Sequence, residues 1–218
     1  MKFLSIIFLA LLLVSCKSND DNLDSNSENS SKATVVDSSK IIEVETLFDK
    51  DLFDDPQKEI LLKELKLCSE KNRGVEDYMN PSCSPRFFEL FKLGDKLDLN
   101  NALIVQIKAK TNGFPLRRLV VFVRENGFLL KVNGFVANLI ERRVSDSGYD
   151  DLVLRFNDKD QGQDVFFNCL FKWTGVSYDY HSVEVIEGPG WGGAVKKELK
   201  DSISLEVKKD IIKNKMIF

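Results

Sequence analysis

The chain has 218 residues, with 31 Lys and Arg against 34 Asp and Glu, for a net charge of −3. So even a balance carries no electrostatic footprint for nucleic acid. The length suits one domain with one core, and fourteen of the sixteen Phe lie beyond Ser15 to supply it.

Met1-Lys2 is a short positive start, followed by an almost continuous apolar run from Phe3 to Val14. A spanning helix needs about 20 apolar residues, so the run has the length of a signal-peptide core instead. The stretch "LVSC", Leu13 to Cys16, resembles the lipobox of bacterial lipoproteins, which implies that Cys16 is lipidated and becomes the first mature residue. Several acyl chains on one sulfur make a lasting anchor, each buried methylene contributing about 0.8 kcal/mol. Lys17 to Lys40 holds seven Ser and four Asn and almost no large apolar residue, too little to offset its ordering entropy. As a flexible tether it would span roughly 25 to 30 Å. The expected organisation is therefore a signal peptide over 1–15, a lipidated cysteine and tether over 16–40, and one globular β-rich domain over 41–218.

Lys17 stands where the enterobacterial sorting rule places Asp for inner-membrane retention, so by that resemblance the outer membrane is the expected location. "CKSNDDN" also resembles the acidic post-cysteine tag of surface lipoproteins in Bacteroidota, which favours the cell surface over the periplasm. Beyond the tether the charge is nearly balanced, 27 basic against 29 acidic.

Asp55-Pro56 predicts a helix start, with Asp55 as N-cap and Pro56 in the first helical position. Leu61, Leu65 and Cys68 follow at helical spacing. Outside the cytoplasm a disulfide is permitted. Cys68 and Cys83 bracket a polar loop and form the natural pair, while Cys169, among Phe167, Leu170 and Phe171, reads as a buried hydrophobe. Pairing of Cys169 with either of the other two is the alternative.

The period then changes to two. Leu103, Val105, Ile107 and Ala109 share one face of a strand, alternating with Ile104, Gln106 and Lys108. Leu119, Val121 and Val123 lead to Asn126-Gly127, a strong hairpin signal, and Phe128, Leu130 and Val132 return. Phe135 to Arg143 fits a strand or a short helix. Leu152, Leu154 and Phe156 make the next strand, and Val165 to Trp173 a longer one. Thr174-Gly175 turns into Val176, Tyr178 and Tyr180. Lys196 to Lys213 reads as a helix carrying Ile203, Val207 and Ile211. The fold class is α+β, mainly antiparallel: a meander of about seven or eight strands with an N-terminal and a C-terminal helix packed on it.

"SDSGYDDLVLRF", Ser145 to Phe156, and "FKWTGVSYDY", Phe171 to Tyr180, resemble one unit of the FG-GAP-type repeat, with Gly148 as the turn glycine, Asp151 as the last acid and Leu152 as the first strand residue. The other ligand positions of that loop fall on Arg143, Ser145 and Ser147, and a cation among them argues against calcium. The order "RR…NGF…ERR…GYDDLV…NC.F.W" resembles uncharacterised flavobacterial lipoproteins, which implies location and fold and no activity.

His181 is the only histidine, too little for a zinc site without Cys-x-x-Cys spacing. A Ser-His-Asp triad lacks its G-x-S-x-G elbow. His181 is expected to cap an exposed strand face, and the apolar setting of Cys169 suppresses its thiolate. "NDKDQGQD", Asn157 to Asp164, reads as a solvated turn, since its glycine is displaced from the EF-hand position. "EGPGWGGA", Glu187 to Ala194, lacks the Lys-Ser/Thr ending of a phosphate loop and reads as a connection. Its Trp191 is expected to plug the core, the alternative being to stack on a sugar. Arg117-Arg118 and Arg142-Arg143 point their members to opposite strand faces, so one of each pair can make internal ion pairs. Trp191, Arg118 and Arg142 are the candidate ligand-binding residues.

No catalytic residue, metal or cofactor is expected. The reading is a lipid-anchored envelope lipoprotein acting as a non-catalytic binding or envelope-interaction domain, bound to the membrane by its lipid and partnered by an envelope glycan or protein, without nucleic acid. The alternatives are a carboxylate-dependent hydrolase of surface polysaccharide or peptidoglycan, and a periplasmic inhibitor or assembly factor.

Overall fold

The computed structural model describes residues 41–42, 47, 54–69, 81–94, 101–108, 117–160 and 162–218. The signal peptide, Cys16 and the tether lie outside the described residues, as does Ala109. Ser39–Phe218 forms one compact unit.

Helix α1 spans Asp55–Glu64. Its N-cap is Asp54, one residue earlier than the sequence suggests, and Pro56 follows within the first turn. The reason is reciprocity: Gln57 N donates to Asp54 Oδ1 (2.8 Å) and Asp54 N to Gln57 Oε1 (3.2 Å), a capping box that Asp55 cannot build because Lys58 would take the place of Gln57. The helix ends with Lys66 at φ 56°, where Leu67 N reaches Leu62 O and Lys66 N reaches Lys63 O, a Schellman closure. The Cys68–Cys83 disulfide then ties this end to the segment before β2, with Cα atoms 5.0 Å apart. Cys169 is free and buried.

All strands pair antiparallel. Sheet B runs β2 (Phe88–Lys92), β3 (Ala102–Ile107), β4 (Arg118–Glu125), β5 (Phe128–Val136). Sheet A runs β1 (Ile41–Ile42), β6 (Asn138–Arg143), β7 (Asp151–Asp160), β8 (Gln163–Trp173), β9 (Tyr178–Gly188), β10 (Trp191–Ala194). The expected meander is thus present but folded into two sheets at Ala137, the single residue between β5 and β6. There Ala137 N donates to Arg117 O (2.8 Å) and Leu139 N to the Gln106 side chain (3.0 Å), so Gln106 satisfies the corner. Residues 135–143, ambiguous in sequence, are all extended apart from this corner.

Two apolar clusters follow. Between the sheets, Ile104, Leu119, Val121 and Phe135 of sheet B meet Leu152, Leu154, Phe156, Cys169 and Phe171 of sheet A. On the far side of sheet B, Leu103, Val105, Val120 and Phe122 pack with Leu62, Leu65 and Leu67 from α1 and its end. The β3 alternation therefore separates two cores rather than core from water.

Helix α2 (Lys200–Lys213), preceded by a 3-10 turn over Lys197–Leu199, begins four residues later than expected. It adds Val207 and Ile211 to the core between the sheets and accepts Val183 N on Ser204 Oγ (3.0 Å). It closes as α1 does, with Lys215 at φ 52°. Residues 216–218 then pair with β5: Gly134 and Phe218 exchange two backbone bonds of 2.8 Å. A Cβ on Gly134 would overlap the Phe218 ring, so any larger residue there would push that ring aside. No described helix is long and apolar enough to cross a membrane.

Polar bolts join the layers. Arg142, 6 % exposed, pairs at 2.7 Å with Asp150, 3 % exposed. Asp150 O accepts Tyr178 Oη–H (2.6 Å) and Asp150 N donates to Leu93 O. The Asn133 amide clasps the Tyr178 backbone through both its ends, linking β5 to β9.

Candidate binding face

Sheet A turns one side to sheet B and α2. No described element covers its other side, and register places the residues there. In cross-strand rows, paired residues share a face, giving Glu141 with Val153 and Leu170, Arg143 with Asp151, Lys172 with Asp179, Arg155 with Asn168 and Val185, and Asn157 with Phe166 and Glu187. Two bulges in β9 insert His181 and Glu184 and turn both outward beside Ser182 and Val185, because a bulged pair faces one partner together. His181 is exposed, on the open face as expected.

Charged side chains lie along this surface and cover its apolar centre. Arg143 reaches past β7 and β8 to grip Glu184 of β9 through both terminal nitrogens (2.9 and 2.7 Å), while its Nε donates to Glu141. Val153 and Leu170, within that span, are only 3 % and 7 % exposed, which is how long charged side chains shield apolar surface. Burial works against the Arg143 charge, but hydrogen bonds and attraction from Glu184 and Glu141 outweigh it and raise its pKa well above the ordinary range. Lys200 adds a contact to Glu184 at 3.9 Å. On the far side Arg155 lies over the Phe166 ring, 4.5 Å from its centroid, and pairs with Glu187. Lys172 meets Asp151 at 3.7 Å. Burial raises the Asp151 pKa above the usual 3.8, against the opposing pull of Lys172, His181 and Arg143. Within this set four cations meet four carboxylates, and Asp179, in register with Lys172, adds a fifth acid, so the face carries no excess of cations.

Two polar groups on the face lack partners. Asn157 and Ser182 are each 7 % exposed, and Asn157 Nδ2 and Ser182 Oγ make no hydrogen bond. Such a group costs about 1–3 kcal/mol when buried unmet. The Arg155–Glu187 bridge beside Asn157 is half open to water, and exposed pairs of that kind contribute about 0–1 kcal/mol.

The candidates named from sequence do not converge here. Arg142 points inward and is engaged by Asp150. Arg118 belongs to sheet B, its guanidinium 5.5 Å from the Phe218 ring centroid. Trp191 is not a core plug: it is 41 % exposed on edge strand β10, within a segment expected to be only a connection. It pairs with Gly188, whose side of the sheet is that of inward-facing Val165, and four strand spacings, about 19 Å, separate β10 from β6. The sequence did not single out Asn157, Ser182, Arg155 or Glu184 individually. The parity of "DLVLRFN" sets Arg155 and Asn157 opposite Leu154 and Phe156, but the partners depend on register.

Among the described residues no three His, Cys, Asp or Glu side chains gather as a metal site. The Ser145 and Ser147 hydroxyls bond each other, and Ser147 also donates to Tyr149 O. Comparison with protein-family models, curated proteins and solved structures finds no match for this chain.

Proposed function

We propose that the chain is a lipid-anchored lipoprotein of the outer membrane, facing outward, whose domain is a non-catalytic binding module working through the open face of sheet A. The membrane reading rests on "LVSC" and the tether. The binding reading rests on one observation: the cations of that face are all tied up in ion pairs with its carboxylates, while two of its buried polar groups stay unmet. Glu141 and Glu184 share one guanidinium, that of Arg143, so neither carboxylate is free to reach a substrate as the acid or base of a hydrolase. The hydrolase reading retains one support, the raised pKa of Asp151.

The test incubates the full lipidated chain with envelope fractions and scores retention and turnover together. Stoichiometric retention of an envelope component without product release is the expected result. Release of new reducing ends or peptides, lost on Asp151→Asn, would establish the hydrolase instead. Cys16→Ala should free the chain from membranes. Protease added to intact cells should remove the domain, and protection until the outer membrane is opened would place it in the periplasm with an inhibitor or assembly role.

A further inference from the structure

We infer that the open face of sheet A takes an extended, uncharged glycan, anchored at Asn157 and Ser182; the inference rests on the binding reading above and names its ligand. Backbone groups within the sheet are engaged in the ladder, so the face offers side chains alone. A peptide strand, which pairs through backbone groups at an edge, finds no such partner there. A glycan carries hydroxyl donors and acceptors along its whole length and needs isolated amides and hydroxyls set among apolar patches. That is the composition of this surface, with Val153, Leu170, Val185 and Phe166 between the two anchors. Arg143, Arg155, Lys172 and Lys200 are all paired with Glu141, Asp151, Glu184 and Glu187, and Asp179 adds a further acid, which leaves no excess cation to select a polyanion.

Asn157 and Ser182 are two strands apart and four residues of rise apart along β8, by way of Phe166 and Leu170. That separation is on the order of 16 Å, the reach of a short oligosaccharide and not of one sugar. Asn157 Nδ2 and Ser182 Oγ are both closed to solvent, so a ligand must displace neighbouring side chains; in the row of Asn157 the one free to move is Glu187, across Phe166, whose side chain is 47 % exposed. Swinging Glu187 outward exchanges a wet ion pair for an acceptor on the buried amide.

The experiment titrates the full chain, in a detergent without a sugar headgroup, with maltohexaose, cellohexaose and chitohexaose by calorimetry. One of these should bind in the micromolar-to-millimolar range. Asn157→Leu should weaken it about tenfold, the worth of one hydrogen bond to a buried group, while raising the melting temperature, because the orphaned amide is gone. Ser182→Ala should weaken it roughly threefold, and Glu187→Ala, which frees the cover, should strengthen it. Absence of binding to all three, or binding unchanged in both Asn157→Leu and Ser182→Ala, overturns the glycan assignment. Capture of an envelope protein with the glycans silent overturns it too, yet leaves the binding reading standing. Cleavage of a bound hexaose overturns the binding reading itself.

Discussion

Sheet B is sealed on both sides along β3 and the middle of β4, by sheet A on one and by α1 on the other, whereas sheet A is sealed on one side and lies under its own charged side chains on the other. In sheet B every residue of β3 is buried, so side-chain parity there decides only which core a residue joins. In sheet A parity separates core from a patterned surface. Both sheets build the core between them, but only sheet A has a side on which no described element packs.

The contrast is sharpest for charge insertion. Ile104→Asp and Val105→Asp, on opposite faces of β3, should each cost more than about 4 kcal/mol and abolish cooperative melting. In sheet A, Phe171→Asp should do the same while Lys172→Ala should shift stability by no more than about 0.5 kcal/mol. A folded Val105→Asp protein would mean that α1 does not seal sheet B.

Next in size is the inward arginine of sheet A. Arg142→Ala leaves Asp150 buried without its countercharge and should cost about 3–5 kcal/mol in chemical denaturation, with most of that recovered in Arg142→Met/Asp150→Leu. For sheet B the corresponding bolt is the disulfide. Replacing Cys68 and Cys83 by Ala should cost about 3 kcal/mol for closure of a loop of this size, read as an earlier urea midpoint. Carboxymethylation of native Cys169 should be negligible, since burial pushes its thiol far above the usual range.

Smaller effects come from the helix ends and from pH. Lys66→Gly and Lys215→Gly relieve positive φ and should each stabilise by about 1 kcal/mol, the first acting on the seal of sheet B and the second on that of sheet A. On the open face, Asp151 holds its proton more tightly folded than unfolded. Its contribution is therefore favourable at low pH and is lost as pH rises through the folded pKa above 3.8. Asp151→Asn should flatten that part of the profile of melting temperature against pH. An unchanged slope would show that the carboxyl is fully solvated.

Much of this was legible residue by residue. Asn126-Gly127 forms its turn with φ of 51° and 86°, the Cys68–Cys83 pair closes, and the α+β antiparallel class holds, because each depends on local chemistry. The second core was not, since six consecutive buried residues in β3 acquire meaning only when Leu62 and Leu65 arrive from elsewhere. The open face was hidden for a different reason. Bulges at His181 and Glu184 break the alternation of β9, turning Asp179 and His181 outward but Val183 inward. Arg143–Glu184 is a contact between strands three places apart, fixed by register and not by spacing. Trp191 was misplaced because a glycine-rich edge strand reads as a loop.

Among the described residues, strand β1 meets the domain at two positions, Ile41↔Arg143 and Ile42↔Arg142, at the outer edge of sheet A. Tension applied through the chain preceding Ile41 would therefore peel an edge, breaking backbone bonds one after another instead of shearing them together. The attachment should give way at low force while both cores stay whole. A single-molecule pulling experiment would record that release as a small, early extension, well separated from the unfolding of the sheets.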